Sequence, residues 1–106
     1  MDVTSRLGER TFPRPVISII RDPEKLGRIL AEQDPGGAAP PRIDYRTRQA
    51  VLVTVGPRSS TGYALRVEKV VEDDRRILVL VRETTPATGD RVEARLTYPA
   101  LLLTME

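Results

Sequence analysis

The chain reads Gly56-Pro57-Arg58-Ser59-Ser60-Thr61-Gly62-Tyr63 between two apolar runs, Ala50 to Val55 and Tyr63 to Val71. Two glycines, one proline and three small hydroxyl residues do not build a core, but they favour turns and offer hydrogen bonds. The stretch is also longer than a plain hairpin connection requires. The pattern therefore predicts a shaped loop between two strands, and the candidate partner-binding residues are Arg58, Ser59, Ser60, Thr61, Gly62 and Tyr63.

Apolar periodicity on both sides of this loop predicts the secondary structure. Pro23 to Gln33 has helical spacing, and Asp22 is placed to cap the first turn. Ile77 to Val81 is continuously apolar, and Ala50 to Val55 is so apart from Thr54, so both runs are expected to be buried on two faces. Strands are predicted, with a bulge near Lys69, at Val16–Ile20, Ile43–Tyr45, Ala50–Val55, Tyr63–Val71, Ile77–Thr84, Val92–Tyr98 and Ala100–Met105.

These elements predict the fold class and its extent. We expect a mainly β (α+β) protein, namely a small antiparallel β-sandwich or open barrel with one short N-terminal helix. The runs from Tyr63 and from Ile77 are expected to pair as an antiparallel hairpin. A length of 106 residues fits one domain. Residues 1–14 are polar and are expected to be a loosely held lead-in, and residues 15–106 to be a single β-rich domain.

Composition restricts the partner classes. Charged residues make up 30% of the chain, yet the net charge is only +2 and arginine is spread among Asp and Glu. No basic run is interleaved with aromatic residues, so no nucleic-acid partner is expected. No apolar stretch is long enough for a membrane span. We expect a monomer or a weak oligomer, exported or periplasmic if a leader was removed and otherwise cytoplasmic.

The chain contains neither His nor Cys, which removes the commonest general base, metal ligand and thiolate nucleophile. A carboxylate-based hydrolase is the remaining enzymatic alternative, and it needs two converging carboxyl groups. Glu83 and Glu93 are the candidates. Both have Arg neighbours, so they are expected to face each other across strands and to form cross-strand ion pairs with those arginines. We therefore expect no catalytic residues, no metal site and no cofactor, and a role in protein binding.

The succession of motifs from Ile43 to Met105 resembles the C-terminal domain of the PrcB family of protease-complex subunits. The family pattern has a hydrophobic-Asp-aromatic step, an apolar strand ending in Gly, a Gly-Tyr loop, an alternating strand, a Pro- and Gly-bearing turn and a Tyr-Pro step. The corresponding residues here are Ile43-Asp44-Tyr45, Val51–Gly56, Ser60–Tyr63, Leu65–Val71, Ile77–Gly89 and Val92–Pro99. The chain departs from the pattern at Ser60-Thr61-Gly62, where a second glycine is common, and its helix lacks a Trp.

This resemblance implies a non-catalytic domain, commonly exported, that associates with a protease and stabilises it. The sequence Thr61-Gly62-Tyr63 is also similar to a loop of chagasin-like cysteine-protease inhibitors, which have an immunoglobulin-like fold and place that loop in the protease cleft. The flanking Asn-Pro and the Arg-Pro-Trp element of those inhibitors are absent here. Inhibition of a protease is therefore the alternative that the second resemblance leaves open.

Overall fold

Two antiparallel sheets and one α-helix make up the structure, a computed structural model that describes residues 1–106. The three-stranded sheet has the order β1-β2-β5, and β3 pairs with β4 in a second, two-stranded sheet. The sheets do not close into a barrel, and the expected mainly β (α+β) fold with one short helix is confirmed. The elements are a 3-10 helix Thr4–Leu7, β1 Pro15–Ile20, α1 Pro23–Gln33, β2 Gln49–Val55, β3 Ala64–Glu72, β4 Ile77–Thr84 and β5 Ala100–Met105.

Helix α1 begins and ends where the sequence predicts. The Asp22 carboxylate accepts a hydrogen bond from the Lys25 N–H at 2.8 Å, and Pro23 occupies the first turn, where its missing N–H is not needed. Leu26 and Leu30 are buried against the three-stranded sheet. The helix has eleven residues, and no helix of the chain is long and apolar enough to cross a bilayer.

Strand β2 lies between two core layers, which confirms the prediction that both of its faces are buried. Successive side chains of a strand point to opposite faces. Ala50 and Leu52 therefore pack on the helix side of the sheet, whereas Val51 and Val53 pack on the side covered by the two-stranded sheet. This central position explains the continuous apolar run that precedes Gly56.

Strands β3 and β4 form the predicted hairpin, and its register shifts at one position. Val67 is opposite Val81, but Lys69 is opposite Leu80, so Glu68 is the extra residue of a bulge at the predicted place. The expectation that β4 is buried on both faces is wrong. Leu78 and Leu80 are 45% and 43% exposed, because nothing covers the outer face of the two-stranded sheet.

The first residues of the chain are held firmly, so the expectation of a loosely held lead-in is wrong. Val3, Leu7 and Phe12 are buried in the same core as the helix. The Val3 N–H donates to the Leu102 carbonyl at 2.9 Å, and residues 1–4 thereby cover the outer edge of β5. Three buried apolar side chains, together with the hydrogen bonds to β5, are therefore enough to hold this otherwise polar segment. The division between residues 14 and 15 stays a prediction.

Two predicted strands are absent. Ile43 and Tyr45 do pack on the core, but Asp44 ends the extended chain because its oxygens accept hydrogen bonds from the following backbone and form a turn. The stretch from Val92 to Tyr98 makes a single β-bridge, at Thr97. Period-two alternation predicts an extended chain, whereas a strand also needs the free edge of a neighbouring strand, and this stretch runs beside a loop instead.

Candidate functional site: the braced inter-sheet loop

The connection from residue 56 to residue 63, called here the inter-sheet loop, carries the chain from β2 in one sheet to β3 in the other. Glycines of positive φ occupy its first and its next-to-last position, with φ of +81° at Gly56 and +99° at Gly62. A Cβ atom on Gly62 would lie 3.0 Å from the Pro86 Cβ and 3.1 Å from the Val92 Cγ1. Both the backbone conformation and the crowding therefore require glycine at this turn.

Residues 93–97, called here the clamp segment, hold the inter-sheet loop by its backbone. Arg58 and Thr97 exchange two backbone hydrogen bonds of 2.8 and 3.0 Å. At the other end, the Thr61 N–H donates to the Glu93 carbonyl at 3.0 Å, and the Thr61 hydroxyl accepts from the Glu93 N–H at 2.8 Å. The Thr97 hydroxyl donates to the Ser60 carbonyl at 2.7 Å. The inter-sheet loop is thus fixed to the clamp segment by hydrogen bonds along its length.

The Arg58 side chain braces the loop to the hairpin. Its Nε and Nη2 donate to the two Glu83 carboxylate oxygens at 2.8 and 3.0 Å, and its Nη1 donates to the carbonyls of Val55 and Pro57 at 3.2 and 3.1 Å. This bidentate geometry is the strong form of an arginine–carboxylate pair. The hydrogen bonds to Glu83 raise the pKa of Arg58 above its usual value. Most of the guanidinium donors are therefore already used within the chain.

The part of the loop that faces solvent is smaller than the set of six predicted residues. Pro57, Ser59 and Gly62 are exposed, and the Ser59 hydroxyl makes no hydrogen bond within the chain. The N–H groups of Ser59 and Ser60 likewise donate to no group of the chain. Tyr63 is half-buried where the loop enters β3. The structure thus places two free backbone donors and one free hydroxyl side by side. The Arg58 and Thr61 side chains, in contrast, make hydrogen bonds within the chain that hold the loop.

The two carboxylates considered for hydrolysis lie in different surroundings. Glu83 is on β4, opposite Leu65 in the register and bound to Arg58. Glu93 is exposed, lies outside any strand, and pairs with Arg95 at 3.1 Å. The expectation that Glu83 and Glu93 face each other across neighbouring strands is therefore wrong. No group of three or more His, Cys, Asp or Glu side chains is placed to hold a metal ion.

Sequence reasoning missed the clamp segment and the role of Glu83. The signal for the clamp was present, because the alternation from Val92 to Tyr98 indicated an extended chain. Its neighbour could not be read from that pattern, since Thr97 and Arg58 are far apart in sequence. Glu83 carried only a weak signal, an acidic residue at the end of an apolar strand.

The fold and the loop together define a small β-sandwich domain with a rigid, outward-facing connection between its sheets. The PrcB C-terminal family matches residues 50–106, which is more than half of the chain, and the chain belongs to this family. The resemblance inferred from the motifs is thereby confirmed. The matched region contains β2 to β5, the inter-sheet loop and the clamp segment, whereas β1 and α1 precede it. Comparisons with curated proteins and with solved structures found no match.

Proposed function

We propose that this chain is a non-catalytic protein-binding domain that associates with or stabilises a protease or an exported enzyme. The observation that carries the proposal is the inter-sheet loop, which is fixed at both ends by the clamp segment and presents unused hydrogen-bonding groups. Membership of the PrcB C-terminal family supports a protease as the partner.

A rigid loop is suited to binding because its ordering cost is already met in the free domain. The backbone N–H groups of Ser59 and Ser60 are free, and a partner carbonyl or carboxylate is the group that they would bind. The exposed Ser59 hydroxyl adds a donor and an acceptor at the same place. In this proposal Arg58 acts as a positioning residue, since its pair with Glu83 sets the orientation of the loop.

The proposal is tested by placing a photo-crosslinking amino acid at position 59 of the chain in its source cells. Position 5 is a matched control, because Ser5 is also an exposed serine but lies in the 3-10 helix near the N-terminus. The expected result is a crosslink from position 59 to one enzyme, identified by mass spectrometry, and no such crosslink from position 5. The captured enzyme should also lose activity faster at its working temperature when this domain is removed.

A second variant tests whether binding depends on the clamp segment holding the inter-sheet loop in place. Thr97→Val removes the hydroxyl that donates to the Ser60 carbonyl at 2.7 Å, without touching the exposed face of the loop. The crosslink from position 59 is expected to weaken in this variant while the domain stays folded, as checked by its melting curve. Identical crosslink patterns from positions 59 and 5 would overturn the proposal. Loss of catalytic activity of a captured protease on adding the domain would instead favour the inhibitor alternative.

A further inference from the structure

The two sheets of the sandwich differ in width, and this leaves one side of the core uncovered. Ile17 and Ile19 of β1 are opposite Val53 and Val51 of β2, so all four side chains share the face that packs on the two-stranded sheet. Strand β3 lies against β5, and no strand lies over β1. As a result Ile17 is 83% exposed and Ile19 is 39% exposed, whereas their neighbours on β2 are buried.

The strand edges that border this open side are unequal. Strand β4 makes backbone hydrogen bonds only to β3, so the outer edge of Ile77–Thr84 has free donors and acceptors. The edge of β1 is partly blocked, because Pro15 has no N–H and the Lys25 Nζ donates to the Ile19 carbonyl at 2.8 Å. Proline and lysine are the residues that protect edge strands from pairing. An added strand would therefore find its partner in β4 and not in β1.

We propose that an extended segment of the partner protein docks on this open side, pairs with the free edge of β4 and covers Ile17 and Ile19. This inference rests on the proposed protein-binding function and adds a second contact to it. Neighbouring strands are about 4.8 Å apart, so one strand beside β4 makes the two sheets equal in width. Strand addition of this kind takes affinity from backbone hydrogen bonds and specificity from alternate side chains.

Charge at one end of the open side indicates the chemistry of the segment. Arg21 follows β1, and its Nε donates to the Gln49 side chain, which is on the same face of the sheet as Val51. Arg21 has no carboxylate partner in the chain, whereas Arg58, at the other end, is neutralised by Glu83. The segment that fits has alternating apolar side chains and an acidic residue at the end that lies near Arg21.

A second copy of the chain fits this side less well. Pairing of β4 with its own counterpart across a two-fold axis would bring the two uncovered β1 strands into the same space. The open side also offers only one free strand edge and two exposed isoleucine side chains, whereas a stable dimer buries about 1,200 Å² or more in total. A single extended segment requires no such area, because part of its affinity comes from the strand ladder.

The test uses a synthetic ten-residue peptide of alternating valine and threonine with two glutamates at one end, titrated into the full chain by isothermal calorimetry. Ile17→Asp places a charge on an 83% exposed position, so folding is preserved. It is expected to weaken peptide binding by about tenfold or more. Leu96→Asp is the matched control, since Leu96 is 62% exposed and lies in the clamp segment, away from β1; its affinity should equal that of the wild type.

Further measurements locate the peptide and distinguish the outcomes. Amide hydrogen exchange should slow in β4 on binding, and replacing the glutamates by lysines should weaken the affinity. Failure of the peptide to bind, equal effects of the two Asp variants, protection of β1 in place of β4, or a dimer through β4 in light scattering would each overturn the inference. A crosslink from position 59 that persists in the Ile17→Asp chain would then leave the proposed function standing without the docked strand.

Discussion

Replacing Gly62 by alanine perturbs the inter-sheet loop at its most constrained point. The φ of +99° strains any residue with a Cβ atom, at a cost of about 1–3 kcal/mol. The new methyl group would also meet the Pro86 Cβ at 3.0 Å and the Val92 Cγ1 at 3.1 Å, and such overpacking costs about 1–3 kcal/mol. The two effects together are expected to lower the free energy of unfolding by about 2–6 kcal/mol.

Gly89 provides the matched control for this prediction. Its φ of +94° is close to that of Gly62, but a Cβ atom there would meet nothing within 4 Å. Gly89→Ala should therefore show the backbone strain alone, and the difference between the two variants should measure the crowding against Pro86 and Val92. A difference of 1 kcal/mol corresponds to about 4–8 °C in melting temperature for a domain of nearly this size.

The measurement is thermal and urea unfolding of both variants, followed by circular dichroism. Equal destabilisation by Gly62→Ala and Gly89→Ala would refute the crowding argument, and with it the close contact between the inter-sheet loop and residues 86–92. A melting temperature for Gly62→Ala equal to that of the wild type would refute the backbone argument as well.

Two other predictions concern titratable groups. The Tyr45 hydroxyl is buried without a hydrogen-bond partner, and burial, together with the charge of Asp22, raises its pKa. Tyr45→Phe should therefore increase the free energy of unfolding by about 1 kcal/mol. Above pH 10 the tyrosine ionises first in the unfolded chain, which lowers the stability of the wild type, and the variant should lack this part of the loss. A urea midpoint below that of the wild type would contradict the prediction. Asp73 accepts hydrogen bonds from the N–H groups of Arg75 and Arg76 at 2.8 and 2.9 Å, which lower its pKa. The order that it gives to the β3–β4 turn is present above about pH 4 and should be lost as the pH falls through the lowered pKa. The protection factors of these two amides, which compare the measured exchange rate with the intrinsic rate at the same pH, should therefore fall in acid in the wild type but show no such step in Asp73→Asn.

Much of the fold could be predicted because it depends on local chemistry. Asp22 and Pro23 start α1 wherever the helix lies in the fold, since capping involves only the first turn. The apolar run before Gly56 and the bulge at Glu68 also appear as changes of period within a single stretch. The limits of the inter-sheet loop follow in the same way from its two glycines, Gly56 and Gly62, which both have positive φ.

The rest was decided by the tertiary structure. The alternation from Val92 to Tyr98 shows which side chains share a face of an extended chain, but not whether a strand edge is available beside it. The pairing of Arg58 with Glu83 depends on how the hairpin lies on the larger sheet, and no spacing in the sequence reports that arrangement. The exposure of Ile17 has the same origin, because an apolar residue is buried only where a second layer reaches it, and here the second layer is one strand too narrow.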